Sequence, residues 1–340
     1  MLAFKLLSHR KNPIVKPEEL GVDACFNPGA VKFKNKIILL PRIHKDYQRI
    51  IFFDRKLKIK RYKFLNYKAE IIPLISKDGL KFKRYKKGII KGETRDFKYG
   101  FEDVRIIPFL DYFILIGTGK IKPPFSANAD RIAIYTTSDF ENFDYRGIVD
   151  GFDSRNAVCF FNKKRTRGWI ILRIYPNIHL EELETGVDQL LFPSKYKNAW
   201  ERIYLNRNKN LLLTPSESWE KEKIGAGPPP LLTEKGWLLF YHGVGSFEKI
   251  KRGYFIGAIL LDKENPKRII SKTKEPIYIP SHGWELGFKS FKVDVPGVIF
   301  PTGLIRKGTK LYLYCGAGDK YISLLTCDLK ELLNFLLKKI

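Results

Sequence analysis

Five segments of the chain share one pattern of apolar and polar positions. Each segment opens on small or polar residues, continues into an apolar run, turns, and returns as a second apolar run that ends on a polar residue. Most of the connecting turns, such as Lys34-Asn35, have the composition of β-hairpin turns. The pattern therefore predicts five hairpins, at residues 27–42, 101–119, 153–174, 225–243 and 300–318.

The predicted hairpins recur along the chain, and a third strand-like run follows most of them. The second strands begin near Lys36, Tyr112, Trp169, Trp237 and Lys310, and the third runs lie at residues 49–56, 131–138, 201–206, 254–262 and 321–328. Antiparallel units of three or four strands that repeat in this way are typical of propeller blades. We therefore predict an all-β fold, a five-bladed β-propeller that residues 1–340 form as a single domain. A two-sheet sandwich of the same strands is the alternative, but it leaves the repeat unexplained.

The two ends of the chain are expected to differ from the blades. Residues 1–26 are predicted to form an N-terminal extension or closing strand, and residues 328–340 a C-terminal helix. Asp328 is the expected N-cap of this helix. The apolar stripe of the helix consists of Leu329, Leu332, Leu333, Leu336 and Leu337. Residues 198–202 also fit a short helix.

Several polar residues at the predicted strand ends are expected to meet, although they are far apart in the sequence. In a propeller the innermost strands run along a central axis, so their polar ends converge in one funnel. The set contains few acids and many cations, which suits a neutral sugar beside a tetrahedral anion better than a metal ion. Its members are Asn27, Arg42, Asp103, Arg105, Arg155, Arg173, Lys223, His242 and Asp319.

The composition excludes several classes of protein. Apolar residues make up 44% and aromatic residues 14% of the 340 residues, which excludes a disordered chain. The 62 Lys and Arg against 36 Asp and Glu give a net charge of +26. Because the cations are scattered rather than clustered, they indicate a solvated, thermophile-like surface or an anion-binding site more than a nucleic-acid interface.

The cysteines and the N-terminus bear on where the protein works. Cys25, Cys159, Cys315 and Cys327 form no close pair, and three of them lie in apolar runs, so we expect buried, reduced thiols. The N-terminus lacks the small-residue cleavage site of a signal peptide, and no apolar run has the length of a membrane span. These features predict a cytoplasmic protein that has no membrane partner.

Several motifs carry a family resemblance. The most specific are GFEDVRI at 100–106, DSRNAVCFF at 153–161 and the long block WEKEKIGAGPPPLLTEKGWLLFYHG at 219–243. Through these motifs, and through similar matches in its last third, the chain resembles glycoside hydrolase family 130, the β-mannoside phosphorylases and β-mannosidases. The resemblance extends from about Asn27 to Leu332, and it implies a five-bladed propeller, in agreement with the repeat.

The resemblance also implies roles for individual residues. Asp103 matches the family's catalytic acid. The positions that hold inorganic phosphate in the family's phosphorylases are matched by Arg155, Arg173, Lys223 and His242. The positions that bind the mannosyl unit are matched by Asn27, Arg42 and Asp319. Arg105, expected on the same face as Asp103, is grouped with the sugar-binding residues.

The chain departs from the family pattern in three places. Val104 replaces a proline, the histidine that usually precedes the arginine at position 173 is absent, and GTGKIKPPF at 117–125 replaces the common loop. These differences bear on the preferred acceptor sugar more than on the chemistry.

The charge of the predicted set distinguishes two mechanisms. Inverting cleavage of a glycoside needs a proton for the leaving oxygen and a nucleophile on the opposite face of the sugar. Water requires a second carboxylate as base, whereas phosphate is already an anion and requires a cationic cradle. One acid, Asp103, with four cations therefore favours phosphate, since Glu102 is expected to point to the opposite face of its strand.

Protonation of Asp103 is a constraint on this mechanism. Arg105 would share the face of Asp103 and would lower the pKa of its carboxyl group, which opposes the role of proton donor. The resemblance implies that a hydroxyl of the substrate relays the proton.

The expected function is an inverting phosphorylase that reversibly cleaves a β-mannosidic bond, with β-1,4 expected ahead of β-1,2, and forms α-mannose 1-phosphate. Its substrates would be a β-mannoside oligosaccharide and inorganic phosphate, with no metal, no other cofactor and no nucleic acid, and the resemblance implies a homo-oligomer. A β-mannosidase on the same scaffold is the main alternative. A basic binding propeller without enzymatic activity is the distant one, and the acceptor sugar stays open.

Overall fold

The strands of the protein form five antiparallel sheets that follow one another along the chain, together with one separate two-stranded ribbon. The computed structural model describes residues 4–55, 59–123 and 130–338. Each of the five sheets has four or five strands. The five-bladed β-propeller predicted from the repeat is confirmed, and the blades are numbered I to V in chain order.

The N-terminal strand and blades I and II occupy the first part of the chain. The N-terminal strand is β1 (Leu7–Ser8). The strands of blade I and of the ribbon inserted in it are β2 (Ala24–Phe33), β3 (Lys36–His44), β4 (Gln48–Asp54), β5 (Ile59–Leu65), β6 (Glu70–Ile71), β7 (Leu74–Ser76) and β8 (Lys83–Arg84). Blade II contains β9 (Phe101–Phe109), β10 (Tyr112–Lys120), β11 (Asp130–Thr137) and β12 (Asp144–Val149).

Blades III to V follow in the same way. Blade III contains β13 (Arg155–Phe161), β14 (Gly168–Ile174), β15 (Asn177–Glu182) and β16 (Leu211–Leu213). Blade IV contains β17 (Lys223–Ala226), β18 (Leu231–Thr233), β19 (Gly236–Phe247), β20 (Ile250–Leu261) and β21 (Ile269–Lys272). Blade V contains β22 (Ile299–Lys307), β23 (Lys310–Ala317) and β24 (Tyr321–Asp328). The α-helices are α1 (Asp188–Leu191), α2 (Lys197–Leu205), α3 (Gly283–Leu286) and α4 (Leu329–Leu337), and 3-10 turns occur at Pro17–Leu20 and Ser218–Glu220.

The blades form a closed ring. Strand β2 contacts β9 of blade II and β22 of blade V, β13 contacts β9 and β17, and β22 contacts β19 and β20 of blade IV. The N-terminal strand β1 pairs with β24, with Leu7 opposite Thr326, so blade V combines strands from both ends of the chain. In this ring, blade I lies across the axis from the junction of blades III and IV.

Five apolar clusters fill the five junctions between neighbouring blades. The cluster between blades IV and V contains Leu238 and Leu313, and α4 adds Leu332 and Leu336 to it. The carboxylate of Asp328 accepts hydrogen bonds from the backbone of the first turn of α4, so the predicted N-cap is confirmed. The tail helix therefore belongs to the packed core of the propeller.

Two of the five predicted third strands are wrong. Residues 201–206 lie mostly in α2, which buries Ala199, Trp200 and Ile203 at helical spacing, and β15 is the third strand of blade III. In blade I the run at 49–56 forms the ribbon strand β4 rather than a blade strand, and β7 pairs with β3 in its place. Lys56 of that run and residues 339–340 of the predicted tail helix lie outside the described residues.

The four cysteines are buried and carry free thiols, as predicted. None of the helices in the described part of the chain combines the length and the apolar character needed to cross a bilayer.

Candidate active site

A cavity of about 470 Å³ opens at the axis, where the inner strands of the blades converge. Eight of the nine polar residues predicted to meet there line its wall, and only Arg105 does not. The eight are Asn27, Arg42, Asp103, Arg155, Arg173, Lys223, His242 and Asp319.

Irregular pairing of the inner strands directs several of these side chains into the cavity. Each of β2, β9 and β13 contains one residue more than the strand it pairs with at this point. The extra residues lie at Asn27, Asp103 and Asn156. These three residues have φ angles of 50°, 54° and 55°. An extra residue in this left-handed conformation forms a β-bulge, and Asn and Asp adopt it more readily than other non-glycine residues. Three blades thus use the same local geometry to present a polar side chain to the axis.

The bulge in β9 overturns the expectation that only one of Glu102 and Asp103 faces the axis. Adjacent side chains of a regular strand point to opposite faces, but the left-handed backbone at Asp103 resets that alternation. Both carboxylates line the cavity and both are buried. The site therefore contains a second central acid, Glu102, which was expected to point away from the axis.

Two arginines and a tyrosine hold this acidic pair. Arg42 Nη1 lies 2.9 Å from Glu102 Oε2 and 3.5 Å from Asp103 Oδ1. Arg155 Nη2 lies 2.6 Å from Glu102 Oε2 and 3.8 Å from Asp103 Oδ2. The hydroxyl of Tyr67 donates to Glu102 Oε1 at 2.5 Å. Glu102 is therefore the main ion-pair partner of both arginines, and Asp103 is held more loosely.

The environment of Asp103 favours its ionised form. Burial acts to raise the pKa of Asp103, but the charges of Arg42, Arg155 and Arg105, with a hydrogen bond from Asn27, hold that pKa below its usual value. In this bond Asn27 Nδ2 donates to Asp103 Oδ1 at 2.7 Å. Asp103 is thus a carboxylate at neutral pH, and it gains a proton only when the charge balance of the cavity changes.

The structure places Arg105 elsewhere than predicted. Its side chain is fully buried, and its guanidinium donates to the backbone carbonyls of Gly227 at 3.1 Å, Asp103 at 2.6 Å and Ala226 at 2.9 Å. Because these bonds commit the guanidinium to the backbone, Arg105 does not fit the predicted contact with a sugar. It instead ties the bulge of β9 to blade IV and positions the backbone of Asp103.

Replacing Arg105 with alanine is expected to lower the free energy of unfolding by about 3–5 kcal/mol, because three buried carbonyls lose their donor. Urea denaturation of the parent and Arg105→Ala measures this difference. Arg306→Ala is the matched control, since exposed Arg306 also donates to a backbone carbonyl, that of Gly308 at 2.9 Å. Equal, small losses in both variants would show that Arg105 does not tie the blades together.

Three basic residues from blades III and IV form the opposite side of the cavity: Arg173 on β14, Lys223 on β17 and His242 on β19. Arg173 Nε and His242 Nδ1 are buried and have no hydrogen-bond partner in the described part of the chain. Lys223 Nζ lies 3.9 Å from Glu222 Oε1, which is a long ion pair. Buried polar atoms normally have a partner, so these unpaired atoms indicate a ligand.

Arg173 and Lys223 repel each other, and their positive charges disfavour protonation of His242. Burial, and then the charge of Arg155, lowers the pKa of Arg173 to about 10. Burial, and then Arg173, lowers the pKa of Lys223 to about 8 and holds the pKa of His242 well below its usual value. An anion placed among them would relieve this repulsion and accept their hydrogen bonds. The set therefore fits a tetrahedral oxyanion such as phosphate.

The expectation that the site contains few acids is wrong. Five carboxylates line the cavity, from Glu102, Asp103, Asp130, Asp294 and Asp319. Asp130 accepts from Lys120 Nζ at 2.5 Å and lies 3.5 Å from Arg155 Nε. Lys120 and Asp130 face each other across β10 and β11, so hairpin pairing of opposite charges was the signal that could have found Asp130.

Asp294 and Asp319 form a second pair of acids. Burial raises the pKa of each to about 6, although the positive charge of Arg42 opposes the shift. Groups that titrate so close to neutral pH can both donate hydrogen bonds to sugar hydroxyls and accept them. Asp294 precedes β22 in a segment without a strand pattern, so no sequence signal pointed to it.

The acids and the cations are unevenly divided among the blades. The five carboxylates come from blade II and from segments beside β22 and β23 of blade V. Blades III and IV contribute no carboxylate to the described wall of the cavity, but they contribute Arg155, Arg173, Lys223 and His242. Within the described ranges, no group of three or more His, Cys, Asp and Glu is placed to hold a metal ion.

Known proteins resemble this chain over most of its length. Residues 8–338 match the sequence profile of glycoside hydrolase family 130, described as beta-1,4-mannooligosaccharide phosphorylase. A beta-1,2-mannobiose phosphorylase of Thermoanaerobacter sp. (strain X514) is 28% identical over 339 residues, which are 98% of this chain and 100% of the relative. A 1,2-beta-oligomannan phosphorylase of the same strain is 26% identical over 320 residues, 88% of this chain and 98% of the relative.

A solved structure shares the fold. The beta-1,2-mannobiose phosphorylase of Listeria innocua, in complex with beta-1,2-mannobiose, superimposes with a TM-score of 0.71 at 20% identity and covers 97% of this chain and 99% of its own. The match of the family profile to nearly the whole chain shows that the protein belongs to glycoside hydrolase family 130.

Proposed function

We propose that the protein is an inverting β-mannoside phosphorylase. Inorganic phosphate attacks the anomeric carbon of a β-linked mannosyl unit, the glycosidic bond breaks, and α-mannose 1-phosphate and the shortened sugar are released, in a reversible reaction. This proposal rests on the uneven distribution of charge in the cavity. The described residues that blades III and IV contribute to its wall include cations and no carboxylate. A hydrolase would need a carboxylate base on the side of the attacking water.

The proposed roles follow the two sides of the cavity. Phosphate binds Arg173, Lys223 and His242, and Arg155 reaches it from the edge of the acidic cluster. The mannosyl unit lies between phosphate and Asp103 and is held by Asn27, Arg42 and Asp319. Glu102 is paired with Arg42 and Arg155, and Asp130 is paired with Lys120. These two carboxylates are therefore assigned the role of positioning the cations and not a role as base. No further cofactor is proposed.

Phosphate itself helps to prepare the proton donor. The cations that surround Asp103 keep its pKa low in the free protein. A bound phosphate compensates part of that positive charge, so the pKa of Asp103 rises and its protonated form becomes more populated. A hydroxyl of the bound sugar then passes the proton to the leaving oxygen, as the family resemblance implies. Acid catalysis is thus coupled to the presence of the nucleophile.

The Michaelis constant for phosphate is expected to rise with pH through the titration of Lys223. Since the pKa of Lys223 is lowered to about 8, this cation is present at pH 7 and is largely lost at pH 9. We expect the KM for phosphate to increase by about five- to tenfold between these pH values, beyond the change due to phosphate ionisation. Initial rates at varied phosphate concentrations measure it.

Lys223→Arg is the matched control for this pH dependence, because a guanidinium keeps its charge at pH 9. Phosphate ionises identically with both proteins, so the difference between their profiles isolates the side chain. The same rise in KM in Lys223→Arg and in the parent would remove Lys223 from the phosphate site.

The overall proposal is tested by incubating the protein with β-1,2- and β-1,4-mannobiose, with and without phosphate. We expect mannose 1-phosphate only in the presence of phosphate, with the α-configuration in proton NMR. Release of mannose at the same rate without phosphate would establish a β-mannosidase. No turnover in either condition, together with salt-sensitive binding of an oligonucleotide, would establish a basic binding propeller.

Both linkages are assayed because the comparisons differ in the linkage that they name. The two relatives that span most of this chain are named for β-1,2-linked substrates, whereas the family profile is named for β-1,4-linked ones. The expectation of a β-1,4 bond therefore stays a prediction.

A further inference from the structure

Five aromatic rings form a continuous wall on the blade I side of the cavity. The ring centroids are 5.8 Å apart for Phe26 and His44, 5.0 Å for His44 and Tyr47, and 5.7 Å for Tyr47 and Phe64. Tyr67 closes the wall, at 4.7 Å from His44 and 5.6 Å from Phe64. All five line the cavity. The wall therefore extends from the protein interior to the cavity mouth, since Phe26 and His44 are buried and the other three rings are half-buried.

The ribbon of β4 and β5 builds the outer part of this wall. Tyr47 directly precedes β4, Phe64 lies in β5 opposite Arg49, and Tyr67 follows β5 by two residues. The ribbon interrupts blade I between β3 and β6, so it is an addition to the regular blade. Its base places these three rings in the cavity wall, and the hydroxyl of Tyr67 donates a hydrogen bond to Glu102.

Inversion determines which part of a substrate meets these rings. Phosphate and the leaving group lie on opposite faces of the mannosyl unit during an inverting displacement. The phosphate-binding cations are on blades III and IV, and blade I lies across the axis from the junction of those two blades. The leaving sugar is thus directed toward blade I.

We infer that Tyr47, Phe64 and Tyr67 form a binding site for the acceptor part of a β-linked mannooligosaccharide, the sugar that leaves when phosphate attacks. This inference rests on the proposed function. The C–H faces of a pyranose pack against aromatic rings, and half-buried rings at a pocket mouth supply that contact while polar groups deeper in the pocket set orientation. Tyr47 and Phe64 contact the sugar, and Tyr67 positions the acid cluster as well.

The sharpest test measures the synthetic direction with Tyr47→Ala and Phe64→Ala. With α-mannose 1-phosphate as donor and mannose or mannobiose as acceptor, we expect each variant to raise the acceptor KM by about fivefold or more. The KM for α-mannose 1-phosphate stays that of the parent, because the donor binds on the other side of Asp103. A general structural defect would change both constants.

Two further variants control for the ring and for the fold. Tyr47→Phe keeps the ring and is expected to keep most of the acceptor affinity. Phe52→Ala removes a ring from the same ribbon, but Phe52 is 44% exposed and does not line the cavity, so both KM values should match the parent. Unchanged acceptor KM in Tyr47→Ala and Phe64→Ala, or an equal rise in Phe52→Ala, would overturn the inference.

A binding measurement separates this inference from the proposed function. Calorimetric titration of the protein with β-linked mannotriose in phosphate-free buffer needs no turnover by phosphorolysis. Weaker binding in Tyr47→Ala and Phe64→Ala would support the site even if no phosphorolysis were observed. Equal binding by all variants would contradict the acceptor site, even if the parent protein catalyses phosphorolysis.

Discussion

Replacing Asp103 with asparagine is expected to reduce the kcat of phosphorolysis by about 10²–10⁴-fold, since the variant loses the proton donor for the leaving oxygen. The amide is nearly the same size, and its oxygen can still accept the bond that Asn27 donates to Asp103 Oδ1. The fold and sugar binding should therefore persist. Initial rates on mannobiose at saturating phosphate measure the loss, and the melting temperature verifies folding.

An aryl mannoside distinguishes acid catalysis from a disturbed site. A nitrophenolate leaves without protonation, so Asp103→Asn should lose far less activity on nitrophenyl β-mannoside than on mannobiose. Equal losses on both substrates would mean that Asp103 orients the sugar or the arginines and does not supply the proton.

Replacing Arg173 with alanine is expected to raise the KM for phosphate by about 10–100-fold, the effect of losing a buried, charge-assisted hydrogen bond. Arg173 Nε has no hydrogen-bond partner among the described residues, so the deletion leaves no protein group without its donor there. The KM for the mannoside should change little. Phosphate-dependent initial rates at fixed mannoside measure the effect.

Arg167→Ala is the control for the loss of one positive charge. Arg167 is exposed, and its guanidinium is paired with Glu182 at 2.7 Å, away from the cavity. Its removal should leave the KM for phosphate at the parent value. A parent-like phosphate KM in Arg173→Ala would exclude that residue from phosphate binding.

The hairpin repeat was sufficient to predict the propeller because every blade begins with two apolar strands joined by a turn. It failed for two of the five third strands, those predicted at 49–56 and 201–206. In blade III the apolar run at 201–206 is helical, and the more polar β15 is the third strand. Strong apolar character there reflects packing of α2 against the blade core, not a strand.

The convergence of eight polar residues was predictable because it follows from the geometry of inner strands. The orientations of Glu102 and Arg105 were not, since both depend on the bulge at Asp103. One left-handed residue reverses the alternation on which the expectation relied. Asp294 was also beyond prediction, because a loop without periodic pattern brings it to the cavity.

The aromatic wall shows a different limit. Tyr47 stands at one end of the ribbon, and Phe64 and Tyr67 stand at the other. Between them lie β4, whose apolar pattern indicated a blade strand, and most of β5. Only the pairing of β4 with β5 brings the ends of the ribbon together at the cavity. Sequence patterns predicted that polar residues of the inner strands meet in one cavity, whereas the features of a single insertion required the structure.

A crystal structure of the protein with inorganic phosphate and mannose tests the arrangement most directly. We expect phosphate within hydrogen-bond distance of Arg173, Lys223 and His242, with the sugar between it and Asp103. Phosphate bound to Arg42 on the blade I side, or absent from the cavity at concentrations that saturate turnover, would contradict this arrangement of nucleophile and acid.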